Sequence, residues 1–261
     1  MTLFRLELKR NRISLIIWSA IIAFMLFVSV LLFPEMKAQI GDLNEMMAGM
    51  GELSSALGMD NIDLGDFLGY FGSECGDTLG LGGALFAAIL GISALAKEEK
   101  DQTAEFLLTH PVSRARVVTE KLCSVFAEIT ILNIIVAAAT CIGIVLIGER
   151  PDAGVTALIL LSYYLLQIEI AFLCFGLSAF IRRGGIGIGL GVSFGMYFLN
   201  IIANLTEDAK FLKYITPFGY ASGTDIVANS SVNAGYLSVG ILLTVVGAAV
   251  AYIKYTKKDI T

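Results

Sequence analysis

Lys97-Glu98-Glu99-Lys100-Asp101-Gln102-Thr103-Ala104-Glu105-Phe106-Leu107-Leu108-Thr109-His110-Pro111-Val112-Ser113-Arg114-Ala115-Arg116-Val117-Val118-Thr119-Glu120-Lys121 is a polar island between two long apolar runs. A segment charged this densely cannot sit in hydrocarbon, so it reads as a loop in water joining two membrane spans. Ala104, Leu107 and Leu108, and later Val117 and Val118, recur at helical spacing. Pro111 interrupts that pattern, because it lacks a backbone N–H and disfavours helix at His110. Ser113 then offers a hydroxyl to cap a second helix. Helix, Pro-Val-Ser break, helix is a structured elbow at a membrane face, and such an elbow invites a protein partner.

The flanking sequence sets the class. Of 261 residues, 56% are hydrophobic and only 16% are charged, too little polar surface for a soluble chain of this length. Apolar runs near the 20 residues needed to cross a bilayer fall at about 13–33, 78–96, 122–147, 155–180, 186–205 and 236–253. The expected fold is all-α: a polytopic integral membrane protein with six transmembrane helices plus interfacial and coupling helices, one domain over residues 1–261. Fourteen of the 18 basic residues fall at the termini, in 97–121 and at Arg182 and Arg183. The positive-inside rule therefore puts both termini and the elbow in the cytoplasm. The first span reads as an uncleaved anchor, for no short apolar core with a small-residue cleavage site precedes it.

Residues 1–12 carry Arg5, Lys9 and Arg12 on one helical face and Phe4 and Leu8 on another. They read either as a helix lying in the cytoplasmic interface or as a plain basic flank. Pro34 is expected to end the first span. Residues 35–77 form an extracytoplasmic loop with nine acidic residues against Lys37 alone. Met36, Met47 and Met50 within it suit adaptable packing, or less readily a soft copper site. A second apolar cluster at 62–71 is expected on the outer membrane surface. Gly76, Gly80, Ala84 and Ala88 give the second span a small-residue face for close helix approach. Gly187, Gly191 and Gly195 do the same for the fifth span, with Gly185 and Gly189 on another face. Glu128 lies two turns from Lys121, within reach of water. Glu169, near the middle of the fourth span with Gln167 close by, must be neutral, paired or facing a cavity. It reads equally as a transport-pathway residue or an interhelical anchor. Of Cys75, Cys123, Cys141 and Cys174, only Cys75 falls in an expected loop, so no disulfide framework is implied.

Several chemistries have no residues to carry them. The dipeptide Gly-Lys never occurs, so the phosphate-binding loop of nucleotide hydrolases is absent. The one histidine, His110, excludes paired-histidine zinc motifs. No Gly-x-Ser-x-Gly elbow is present, and no continuous basic patch suits nucleic acid. The chain is expected to have no catalytic residues, to bind no metal and to draw energy from a partner or an ion gradient.

Glu98-Glu99-Lys100, Thr103, Glu105, Leu107-Leu108, Pro111-Val112-Ser113-Arg114 and Lys121 together resemble the first cytoplasmic loop of type-2 ATP-binding-cassette (ABC-2) transporter permeases. Tyr214-Ile215-Thr216-Pro217-Phe218-Gly219-Tyr220 is similar to the aromatic-Pro-Phe segment before that family's last span. The resemblance implies a permease domain whose coupling helix rests on a separate ATPase subunit. Glu98, Glu99, Thr103, Glu105, Leu107, Leu108, Pro111, Ser113 and Arg114 would form the contact. It further implies a second permease subunit, the same or related, packed through Gly187, Gly191 and Gly195. ATP and Mg would be held by the ATPase, with no cofactor on this chain, in the cell membrane. Leu107 and Leu108 can also be read as burying an interfacial helix at the membrane surface. The alternative of another class is a secondary transporter or channel using Glu169 as an ion or proton site.

Overall fold

In the computed structural model, residues 2–39, 65–100, 113–181 and 185–257 are described. Among them every regular element is helical. The elements are α1 (Thr2–Ala38), α2 (Phe67–Cys75), a π-helical segment (Gly76–Gly82), α3 (Gly83–Lys100), α4 (Arg114–Ile147), α5 (Ala153–Ser178) and α6 (Ile186–Leu205). Two 3₁₀ segments (Glu207–Tyr214, Pro217–Gly219), α7 (Gly223–Asn229) and α8 (Ala234–Lys257) complete the chain. Six helical stretches are long and apolar enough to span a membrane, with α2, the π segment and α3 counting as one.

Three sequence expectations need correction. Pro34 does not end the first span, because α1 runs through it to Ala38. An internal proline costs a helix about 3 kcal/mol, yet here the neighbouring Phe33 is fully buried and packs edge-on against Phe67, 5.2 Å between ring centres. Tertiary packing carries the helix past the proline. The cluster at 62–71 does not lie on the outer membrane surface where it is described. Phe67, Tyr70 and Phe71 are buried in the first turns of the second span, and the Tyr70 hydroxyl donates to Ser29 O at 3.1 Å. Cys75 is not in a loop; it is helical and fully buried. The stretch between the first two spans is thus shorter than 35–77, and most of the methionine-bearing part lies outside the described residues. At the other end of α1, residues 2–12 continue into the span without a break.

The second and fourth spans form the centre of the bundle: 67% and 61% of their most apolar windows are buried, against 17% for α6 and α8. α5 packs between α3 and α8, α1 packs along α4, and α6 rests on α3. The small-residue face of the second span finds its partner in α5. A Cβ on Gly80 would lie 3.2 Å from the Tyr163 ring, and one on Gly91 would collide with Ala171 O. α5 and α8 approach as closely at Gly176 and Gly247, where a Cβ on the first would sit 2.6 Å from the carbonyl oxygen of the second. The π-helical segment spends three glycines in seven residues. Its wide turn faces the Tyr163 side chain, which lies 3.5 Å from a Cβ built on Gly76.

Caps mark the remaining boundaries. Asp152 accepts from Val155 N at 2.9 Å at the start of α5. Gly148, at φ 74, ends α4 in the left-handed region that suits glycine. Lys37 Nζ meets Glu149 Oε1 at 3.3 Å, so the end of α1 and the α4–α5 turn share one face of the bundle.

Candidate functional site

Where α3 ends and α4 begins, polar side chains bond to one another and to the start of α1. Residues 101–112 lie outside the described residues, and with them Thr103, Glu105, Leu107, Leu108 and Pro111. Glu98 and Glu99 are in the last turn of α3. Ser113 caps α4 as expected, its hydroxyl accepting from Arg116 N at 3.3 Å. Arg114 donates to Thr256 O at 3.5 Å, placing a cation at the C-terminal end of α8, where the helix dipole favours one. One turn further on, the hydroxyls of Thr119 and Tyr252 are 2.7 Å apart.

Lys121 lies inside the bundle. It is fully buried, with Nζ donating to Glu7 Oε1 at 3.0 Å and to Ala94 O at 2.6 Å. Arg10 Nη2 holds both oxygens of the same carboxylate, at 2.9 and 2.7 Å. Glu120 accepts from Leu3 N and Phe4 N at 3.0 and 3.1 Å, satisfying donors that the first turn of α1 cannot pair within itself. Glu128, expected within reach of water, is a correction. It is fully buried and accepts from Asn11 Nδ2 at 3.0 Å, while Asn11 Oδ1 accepts from Lys97 Nζ at 3.2 Å. The two helices that leave the elbow, α3 and α4, are thereby tied to each other and to the start of α1. The α8 end joins them through Arg114 and Tyr252.

Glu7, Asn11 and Lys121 as bonded partners escaped the sequence reading, although a signal existed. Glu7, Asn11 and Ser14 fall at i, i+4, i+7 on α1, and Lys121, Ser124 and Glu128 fall at i, i+3, i+7 on α4. Two polar stripes at helical spacing on apolar helices are candidates to face each other.

Glu169 is buried inside the bundle. The Tyr220 hydroxyl donates to its Oε2 at 3.0 Å, Oε1 has no hydrogen-bond partner, and the same carboxylate presses on Gly240 of α8. Tyr220 belongs to the segment whose aromatics were expected at the membrane interface. Tyr214 does stay exposed, but Phe218 and Tyr220 are 5% and 3% exposed, and Thr216 donates to Met196 O at 2.9 Å. This segment folds into the bundle, meeting α5 about 24 Å along from Ala153 at 1.5 Å per residue. Gln167 donates to Leu79 O at 3.2 Å and accepts from Asn133 Nδ2 at 2.7 Å, joining three spans.

On α6 the two glycine faces separate. A Cβ on Gly189 would meet Ile92 and Ala88 of α3, whereas Gly187, Gly191 and Gly195 have nothing within 4 Å. The latter three present an open, exposed face.

Six helical stretches long and apolar enough to cross a membrane, with a buried ion-pair clamp joining the first three of them, define a multi-pass membrane protein. The sequence model of the ABC-2 family transporter proteins matches residues 1–260, and the chain belongs to that family. Comparison with curated proteins gives no match.

Proposed function

We propose that this chain is the permease subunit of an ATP-driven exporter, and that residues 97–121 receive the movement of a separate ATPase subunit that holds ATP and Mg. The observation that carries the reading is the clamp at the elbow's base. A push on the elbow meets Lys121, which is bonded to α1 through Glu7 and to α3 through Ala94. Displacement of the elbow is then passed to three spans as one body. Leu107 and Leu108 supply the apolar contact with the ATPase, ringed by Glu99, Glu105 and Arg114, with Glu98, Thr103, Pro111 and Ser113 in the wider contact. The bias of fourteen basic residues toward the termini, 97–121 and Arg182–Arg183 supports a cytoplasmic side for the elbow and both termini. A second permease subunit packs on the open glycine face of α6, and the assembly resides in the cell membrane.

The decisive variant is Leu108→Asp. It should abolish co-purification of the ATPase while the permease still inserts in the membrane; intact co-purification would refute docking at this site. Glu169 separates export from the ion-coupled alternative. As a residue of an ATP-driven machine, Glu169→Gln keeps its acceptor for Tyr220 and transport stays dependent on ATP. Transport without ATP that is lost in Glu169→Gln would establish the alternative.

A further inference from the structure

A cavity of about 70 Å³ opens where the π-helical segment, α5, the end of α6 and the start of α7 meet. It lies at the end of the second span away from Lys97, and so at the end of the bundle opposite the elbow. Its walls are held by backbone contacts. A Cβ on Gly72 of α2 would lie 3.0 Å from the Gly223 carbonyl oxygen, and Gly223 N donates to the Tyr163 hydroxyl at 3.0 Å. Asp77 enters the cavity from the first turn of the π segment, a kind of turn that recurs at functional sites.

The lining selects by charge, by hydrogen bonding and by size. Asp77 is the one charged residue among the described residues that line it. Two other carboxylates nearby have partners: Glu74 accepts from the Ser29 hydroxyl at 2.8 Å, and Asp225 faces Lys213 at 3.9 Å. Asp77 has no such partner among the described residues, and residues 40–64 contain no lysine or arginine. Asn200 lines the same space, and its Oδ1 is buried with no hydrogen-bond partner. That carries a desolvation cost which a donor in the cavity would remove. The rings of Tyr163, Tyr197 and Phe218 complete the wall, the last two edge-on at 5.4 Å. The space holds a few water-sized groups and is far smaller than the ~300–1,000 Å³ of a drug-sized site. An anion would meet Asp77 unopposed. A quaternary ammonium brings no N–H for Asn200. A bare metal ion needs a shell of oxygens, which the rings deny it on one side.

We propose that this cavity binds one alkylammonium group, its charge at Asp77, an N–H donated to Asn200 Oδ1, and its attached carbon against the aromatic rings. A soluble amine and the ethanolamine head of a phospholipid both present this group. The site goes beyond the permease reading and is independent of ATPase docking.

The full-length chain in phosphatidylcholine nanodiscs, titrated with isotope-labelled methylammonium and read by saturation-transfer NMR, tests this. Binding should saturate. Ethylammonium should compete, and tetraethylammonium and sodium at equal ionic strength should not. Asp77→Asn should weaken binding about ten-fold, the effect of taking the charge from one hydrogen bond, and Asn200→Leu about five-fold. Glu149→Gln, at the same end of the bundle, should change nothing. Replacing part of the phosphatidylcholine by phosphatidylethanolamine separates the two sources. Displacement of methylammonium assigns the site to the lipid head, and its retention assigns the site to a soluble amine; either supports the proposal. Binding that does not saturate would leave the cavity to water and overturn it. Equal competition by sodium or tetraethylammonium, or unchanged binding in Asp77→Asn, would overturn it as well. If either cavity variant fails to fold, the competition series on the unaltered chain decides the matter alone.

Discussion

Lys121 occupies a position on α4 where an apolar residue would pack without electrostatic cost, and Glu7 and the Ala94 carbonyl, which accept two of its hydrogen bonds, make it tolerable there. Removing one partner of such a pair strands the other charge in a medium that cannot solvate it, a loss of about 3–5 kcal/mol, whereas replacing both by apolar residues costs far less. Glu7→Leu and Lys121→Met should each lower the thermal unfolding temperature in detergent sharply. The double variant should regain most of that loss; additive losses would show that the two residues do not act as a pair. Tyr220→Phe addresses the other buried carboxylate. It removes the hydroxyl from Glu169 Oε2, and with Oε1 already lacking a partner the expected cost is about 1–3 kcal/mol. The readout is unfolding temperature again, and an unchanged value would place Glu169 outside the role of interhelical anchor.

At the scale of elements, glycine decides which faces meet. Gly247→Val should destabilise the chain, because a Cβ at that position would lie 2.5 Å from the Phe172 carbonyl oxygen. Gly191→Val should leave the intrachain packing untouched, since nothing lies within 4 Å, and should weaken association between permease subunits. Size-exclusion chromatography with light scattering distinguishes the two outcomes. Cysteine pairs placed at Gly191 in neighbouring subunits should cross-link on oxidation; consistent failure, with a positive control elsewhere, would put the subunit contact on another face. The long π-helical segment belongs to this scale as well. Such segments interrupt regular helix at a local cost, and this one is held by Tyr163, whose hydroxyl also accepts from Gly223 N at 3.0 Å.

Over the whole molecule, the well-buried second and fourth spans form the centre, while α6 and α8 are largely exposed. The polar clamp lies at the end where the elbow leaves the bundle, and the Lys37–Glu149 pair lies at the opposite end. A membrane-impermeant thiol reagent should therefore label Lys37→Cys and Arg116→Cys from opposite sides of sealed vesicles, on a background without the native cysteines. Labelling of both from one side would overturn the topology and the elbow's role together.

The sequence by itself determined the class and the number of spans. Insertion into hydrocarbon is governed by local composition over about 20 residues, so six apolar runs and an asymmetric distribution of basic residues are readable without knowing any contact. The fifth span was legible to the residue, and the Ser113 cap was legible because capping is a short-range hydrogen bond. What the tertiary structure alone decided was which polar side chains meet. Glu7 and Lys121 are more than a hundred residues apart in sequence, as are Asn11 and Glu128, and only the packing of α1 on α4 brings them together. The same holds for Pro34, Phe67 and Tyr220. Each followed a local rule in the sequence and was overruled in the fold, because burial against a distant helix outweighed the local preference of a few residues.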